Sequence, residues 1–571
     1  EAALGSYLCH EEQARLKGEA MIQLFMRAIE QDDCDVDAYF SLGNAYLALG
    51  NGEKALSSLR SALALDPRSA AIHYMMAKTC MMLGRFGEAR LMARKALELC
   101  TPSDHFLGDI ENLLTEVPQD LYKQDWWYRT TFDAPTGRQT YLLDFPGINY
   151  RADIWLNGHR LADNRQIVGM YNAHQLDATP WILPGRANVL AVKVTPERAI
   201  QDVDGVELAD SWYDWINWRY LGYQGPGKNP ANGNSFVPDR NAGIWKPVYL
   251  KTSGAVAIGA ATVNTELPLP DTDSARLTVY STVRNFSPDR VGGVLRATIT
   301  RDGKAPIHVD EAVTLQAGEE REIAFTPDRF AALTVGHPDL WWPYTMGRPN
   351  LYDLRLDFIQ NGTVTDTATS KFGIRTITQG RDTDDSFAHL GSGGNFYLKV
   401  NGRDLLVRGA TYTPDLLYKY DPDRDAAILR YAKDLGLNML RLESKISSTR
   451  FIEMADEMGI PLMYGWMCCN QWEKWPQWDD EDRRVAQESM RSQIDMLRSH
   501  ASVFIWANGS DGRPPAEVLA NYHRILDDLH WQNATVDTVS SFARDASGQG
   551  FSNTWTLDGA ATAMEIGRAH V

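Results

Sequence analysis

The spacing of apolar positions changes twice along the chain. Between residues 36 and 101 they recur at helical intervals, and the pattern repeats with a period of 34. Tyr39, Leu42, Gly43, Tyr46, Gly50, Ala55, Leu59 and Ala62, closed by Pro67, are followed one period later by His73, Met76, Ala77, Cys80, Gly84, Ala89, Ala93 and Ala96. A helical stretch over about residues 11–31, with Ala28 in phase, reads as half of an earlier unit. After Pro118 the period shortens to two. WWYRTTF (126–132), TYLLDFPGI (140–148), RADIWLNG (151–158) and NVLAVKV (188–194) alternate apolar and polar residues, with turn residues between them. RLTVYSTVRNF (276–286), GVLRATITRDG (293–303) and NLYDLRLDF (350–358) extend the strand pattern into a second β-rich region. From about Phe396 short strands alternate with amphipathic helices. DLLVRGATYTPD (404–415), NMLRLES (438–444), IPLMYGW (460–466) and VFIWANGSD (503–511) are the strands, and DAAILRYAKDLG (425–436) and RFIEMADEMG (450–459) are two of the helices.

These patterns predict a multidomain chain. Residues 1–116 resemble tetratricopeptide repeats, in which small residues such as Gly43/Ala77 and Ala55/Ala89 let paired helices approach. Two and a half repeats are few for a long groove, so a protein-docking module and a helical cap on the next domain both remain open. Residues 117–254 predict a β-sandwich, and residues 255–376 have the length of an immunoglobulin-like β-sandwich. Strand–helix alternation over 377–564 implies a parallel sheet in the form of a (β/α)8 TIM barrel. Four or five strands precede Met564 where eight close a barrel, so an incomplete barrel is expected. EIGRAHV (565–571) resembles the translation of a short-read sequencing adapter, with a genuine C-terminal turn as the alternative; on the adapter reading Glu565 is excluded from any chemistry.

Composition narrows the partners. A net charge of −17 with no basic stripe argues against nucleic acid and is compatible with a cationic ligand. Seventeen tryptophans cluster in stretches such as WYDWINW (212–218) and WEKWPQW (472–478), where they either stack on sugar rings or fill cores. The six cysteines fit no metal spacing, and adjacent Cys468 and Cys469 rarely reach disulfide geometry, so buried thiols are expected. No stretch of about 18 apolar residues occurs, so no transmembrane helix is expected.

WWYRTTF, DFPGINYRADIWLNG (144–158), DRNAGIWKPVYL (239–250), HPDLWWPYTMGRPNLY (337–352), KFGIRTI (371–377) and NGRDLLVRGATYTPD (401–415) follow one another in a telling order. From Trp126 to about Met564 the chain resembles glycoside hydrolase family 2. That resemblance implies a sugar-binding jelly roll, an immunoglobulin-like domain and a catalytic barrel. Most members carry Asn-Glu where this chain has Ser510-Asp511. The Ser-Asp pair is similar to the exo-β-D-glucosaminidase subgroup, which trims glucosamine from chitosan ends. YTPDLL (412–417), LGLNMLRLE (435–443), GWMCCNQWEKW (465–475) and LRSHASV (497–503) share that likeness.

The resemblance assigns Asp511 as general acid/base; a turn aspartate bonding its own backbone is the alternative. Gly509 and Gly512 are expected to let the shorter aspartate approach the sugar. Glu443, ending the second barrel strand, is implied to contact the substrate amine, where a carboxylate facing an ammonium makes a charge-assisted hydrogen bond. A salt bridge to Lys445 or Arg441 is its structural alternative. Asp415 and Trp472 are further pocket candidates, which helix capping and plain packing explain equally well. The nucleophile of the resembling enzymes, a glutamate on a seventh strand, is expected past Val571, so the chain as given is expected to be inactive. A carbohydrate substrate, no cofactor, no metal and an extracytoplasmic setting are what the resemblance implies. Another family 2 β-glycosidase such as a β-mannosidase, or a non-catalytic sugar-binding scaffold, stands as the alternative.

Overall fold

The computed structural model describes residues 2–101, 106–116, 124–197, 206–209, 241–382, 395–412, 414, 418–442, 446–467 and 471–539. Cys468, Cys469, Asp415, Glu443, the tryptophans at 212–218 and residues 565–571 lie outside these. The chain divides into two compact units, the helical repeats and all that follows them.

The first unit holds α1 (Ala2–Gln31), α2 (Val36–Ala48), α3 (Gly52–Leu65), α4 (Ala70–Met82), α5 (Phe86–Leu99) and α6 (Leu107–Glu116). The period of 34 is visible in its caps. Asp35 and Ser69 accept from the amides of Ala38 and Ile72 at the starts of α2 and α4. Gly50 and Gly84 end the same helices at φ of 73° and 70°. A Cβ at Gly43 would lie 2.7 Å from the Leu59 side chain, so the small residue sets the α2–α3 approach. Ala77 and Ala93 occupy the corresponding positions one repeat later and are fully buried. The first helix is longer than its apolar spacing indicated. Cys34 corrects the expectation of buried thiols: it is exposed, in the loop between α1 and α2, where Asp32 accepts its backbone N–H. Cys80 is buried and Cys100 half-buried.

The second unit opens with a sandwich of two antiparallel sheets. One has the order Trp126–Asp133, Ala187–Thr195, Arg151–Leu156, His159–Val168; the other has His174–Asp177, Thr140–Phe145, Tyr249–Ser253. Alternation places Ala152, Ile154 and Leu156 inward, against Leu143, Phe145 and Val192. A second sandwich pairs Val256–Glu266, Ser274–Asn285 and Glu320–Phe325 against Ile307–Leu315, Val291–Thr300, Tyr352–Gln360 and Thr363–Phe372. Leu277, Val279, Leu295 and Phe358 lie in its core.

Five parallel strands follow: β1 (Gly409–Tyr412), β2 (Met439–Leu442), β3 (Leu462–Gly465), β4 (Val503–Ala507) and β5 (Ala534–Val536). They pair in chain order, as barrel strands do. Helices α7 (Pro422–Asp434), α8 (Thr449–Met458), α9 (Asp480–Leu497) and α10 (Ala516–Asp528) connect them. Leu440, Leu442, Leu462, Tyr464 and Trp506 face the helices, packing with Phe451, Ile452, Met490 and Tyr522. Met439, Met463, Ile505, Ala507, Ala534 and Val536 belong to a separate core with Trp341, Leu398 and Val400. Arg441 alternates onto the face of Met439.

The first sandwich packs onto α9 through polar contacts. Asp482, in the capping box that starts α9, accepts from the amides of Val206 and Asp479. Burial raises its carboxyl to about 7. The Arg151 guanidinium bonds Glu207 at 3.0 Å and Glu481 of α9. Gln493 donates to the Tyr171 carbonyl at 2.6 Å.

The junction of the second sandwich with β4 rests on Arg375. Its guanidinium is buried and donates to the carbonyls of Ala501 (2.6 Å), Val503 (2.9 Å) and His500 (3.2 Å). It also lies 5.4 Å from the Phe504 ring centroid. Burial lowers it to about 10, opposed by the Asp456 carboxylate, so it stays charged near neutral pH. Asp456 in turn accepts from the Ser502 amide at 2.7 Å and bonds the His500 ring at 2.6 Å. Replacing Arg375 with Met should take this donor from the buried carbonyls of Ala501 and Val503 and cost roughly 3 kcal/mol or more. Calorimetry should show the melting transition of the β-rich unit lowered and that of the helical repeats unmoved. An unshifted β-unit transition contradicts the assignment.

Candidate active site

A buried apolar strand, VFIWA, breaks at Asn508 into Gly-Ser-Asp-Gly because nothing after Ala507 can continue the core. The turn stays attached to its neighbours. Asn508 donates its backbone N–H to Val536, and its side-chain oxygen accepts from the Trp506 indole. Ser510 is fully buried. Its carbonyl accepts from the Thr538 hydroxyl at 2.7 Å and the Val539 amide at 3.2 Å, and its Oγ accepts from Arg441 at 2.8 Å. Asp511 follows, half-buried, at the C-terminal end of β4, the end at which barrel enzymes carry their chemistry.

Two carboxylates that sequence reasoning did not select flank this turn. Glu473, on the short 3-10 turn Gln471–Glu473 after β3, accepts from the amides of Ser510 (3.2 Å) and Gly512 (2.8 Å). Asp537, just after β5, binds Arg513 at 3.0 Å and His523 at 3.0 Å. Burial acts to raise the Asp537 carboxyl, but bonds from His523 and Arg513 outweigh it and hold the group below its ordinary range. The same bond raises His523. Glu473 lies within a motif quoted for its likeness to the subgroup, and no local pattern marks it as a partner of the turn.

The glycines of the turn are packed against their own neighbours. A Cβ on Gly509 would meet the Gly512 carbonyl at 2.4 Å and Pro514 at 2.8 Å. One on Gly512 would meet the Trp475 ring at 2.8 Å. Both positions are therefore closed to a side chain by the protein's own packing. Trp472 is likewise placed in the core. It is 1% exposed, stacks on Trp466 at 3.9 Å and 10°, and donates its indole N–H to the Ala209 carbonyl. Packing, the alternative weighed for it, is the position the structure gives. Tyr171 of the first sandwich reaches Tyr418, after β1, through their hydroxyls at 2.7 Å. Asp415 and Glu443 fall outside the described residues.

Two β-sandwiches followed by a parallel-stranded α/β domain with a carboxyl on the turn after β4 make a multidomain frame. The chain carries domains of glycosyl hydrolase family 2: residues 256–375 match the glycosyl hydrolases family 2 domain, and residues 98–222 match the glycosyl hydrolase 2 galactose-binding domain-like domain. Residues 24–56 and 46–99 match tetratricopeptide repeats. The chain is 35% identical to an exo-β-D-glucosaminidase of Amycolatopsis orientalis over 72% of its own length and 36% of the relative's. It is 33% identical to the exo-β-D-glucosaminidase of Streptomyces avermitilis over 76% of its length and 44% of that enzyme's. The structure of an aspartate-to-alanine variant of the Amycolatopsis orientalis exo-chitosanase CsxA, in complex with PNP-β-D-glucosamine, superposes with a TM-score of 0.62 at 30% identity. That match covers 75% of this chain and 46% of that one. The chain thus spans less than half the length of these relatives. No described helix is long and apolar enough to cross a membrane.

The packing of Trp475 on Gly512 generates a direct expectation. Gly512→Ala should overpack the turn and cost about 1–3 kcal/mol. A urea midpoint of the β-rich unit that does not move would show that the indole yields without cost.

Proposed function

We propose that the protein is an exo-acting β-glucosaminidase that removes glucosamine from the non-reducing ends of chitosan-type chains with retention of configuration. The observation that carries this reading is the Ser510-Asp511 turn at the C-terminal end of β4. It is supported by the two relatives named exo-β-D-glucosaminidase and by the similar CsxA, whose aspartate variant forms a complex with PNP-β-D-glucosamine.

In this reading Asp511 protonates the departing glycosidic oxygen while a second carboxylate attacks the anomeric carbon. It then takes a proton from the water that releases the sugar. Ser510 is tied to Arg441 and Thr538, so the acid projects from an anchored turn. Glu443 meets the ammonium of glucosamine, a contact a neutral hydroxyl does not match. Asp415 is a further candidate for contact with the sugar, and Trp472 supports the site from the core. The helical repeats add a protein-docking surface, and the protein meets its polymer outside the cytoplasm.

Asp511→Asn in the full-length protein should lower turnover of chitosan oligomers by several orders of magnitude, with proton NMR of the wild-type reaction showing the β-anomer first. Retention of most activity removes Asp511 from the mechanism. Glu443→Gln keeps the shape but loses the charge contact, worth about 1.5–3 kcal/mol. The ratio of kcat/KM for glucosaminide over glucoside should then shrink by about one to two decades. An unchanged ratio leaves Glu443 a structural residue, and faster hydrolysis of mannosides than glucosaminides overturns the substrate.

A further inference from the structure

We infer that Glu473 is a positioning residue for Asp511, an inference that rests on the glucosaminidase reading of the same turn. The two amides its Oε1 accepts, Ser510 and Gly512, bracket Asp511 on either side. One carboxylate oxygen therefore fixes the backbone both before and after the acid. The bond spans two loops separated by 37 residues in sequence, so it also joins the end of β3 to the end of β4.

Glu473 is itself held. Trp472 beside it is locked between the Trp466 ring and the Ala209 carbonyl. The Gln471 carbonyl accepts from the Trp478 indole at 2.9 Å. On the opposite side the turn is tied through Ser510 to Arg441 and Thr538, and through Arg513 to Asp537. Glu473 supplies the constraint from the β3 side. Trp475, two residues further on, closes over Gly512, where no side chain fits. Removing the carboxylate leaves two backbone donors without this acceptor and lets the Asp511 carboxyl shift. A displacement of about 1 Å at a reacting group costs on the order of 100-fold in rate.

The test uses two readouts. In the full-length protein, Glu473→Ala should lower kcat on p-nitrophenyl β-D-glucosaminide about 100-fold while KM stays within about threefold. Glu473→Gln, which keeps an acceptor oxygen, should recover most of that loss. A kcat for the alanine variant within about threefold of wild type, or a loss confined to KM, overturns the assignment. Hydrogen exchange at the Ser510 and Gly512 amides should quicken in Glu473→Ala and remain slow in Glu473→Gln; unchanged exchange in the alanine variant also overturns it. If that variant does not fold, Glu473→Asp, one methylene too short to reach both amides, takes its place with the same outcomes. A wild-type protein that does not cleave the glucosaminide refutes the glucosaminidase reading instead, and amide exchange alone then decides the place of Glu473.

Discussion

Arg375 sits where the second sandwich hands the chain to the α/β sheet, and its buried guanidinium gathers the carbonyls of His500, Ala501 and Val503 at the entry to β4. A buried cation is tolerated only when its donors are satisfied, so this contact dictates where β4 begins. Asp456 completes the arrangement by taking the Ser502 amide and the His500 ring, and the Trp341 indole donates to its backbone carbonyl. Fixing the start of a five-residue strand fixes its end. The Ser510-Asp511 turn inherits its position from a contact at the opposite end of β4.

The far end of the strand is constrained by a different set of bonds. Glu473 comes from β3, Arg441 from β2, and Thr538 with Asp537 from the segment after β5. Three strands thus converge on one turn, each through a polar side chain directed at backbone, hydroxyl or guanidinium. The close-packed glycines show why the turn has little freedom: side-chain atoms would collide with Pro514 or Trp475. A general acid benefits from such rigidity because its proton must be delivered at hydrogen-bond range.

The first sandwich contributes to the same region without entering the sheet. Its segments at 168–172 and 206–209 meet α9 and the turn after β3 through Gln493, Asp482 and Trp472. The site-bearing loops are therefore backed by a domain whose own core is built on plain strand alternation. Glu473 is supported by this backing, since its neighbour Trp472 is held by Ala209.

Local periodicity made much of the architecture legible. The period of 34 marked Gly50 and Gly84, which the structure places at left-handed helix ends, because a repeat restates the same short-range backbone geometry. Alternation along RADIWL determined which residues face the core, and the apolar run ending at Ala507 marked where the site-bearing turn begins. Position within the site was another matter. Trp472 could have faced a sugar or a core, and only the arrival of Trp466 and Ala209 decided for the core. Nothing local to Gly509 and Gly512 showed that Pro514 and Trp475 would leave no room there for a side chain. Nothing local to Glu473 pointed to its partners, which lie 37 and 39 residues away. Sequence by itself determined elements and their order, through contacts between near neighbours. The tertiary structure decided which side chains hold the turn, because those bonds exist only after the strands lie side by side.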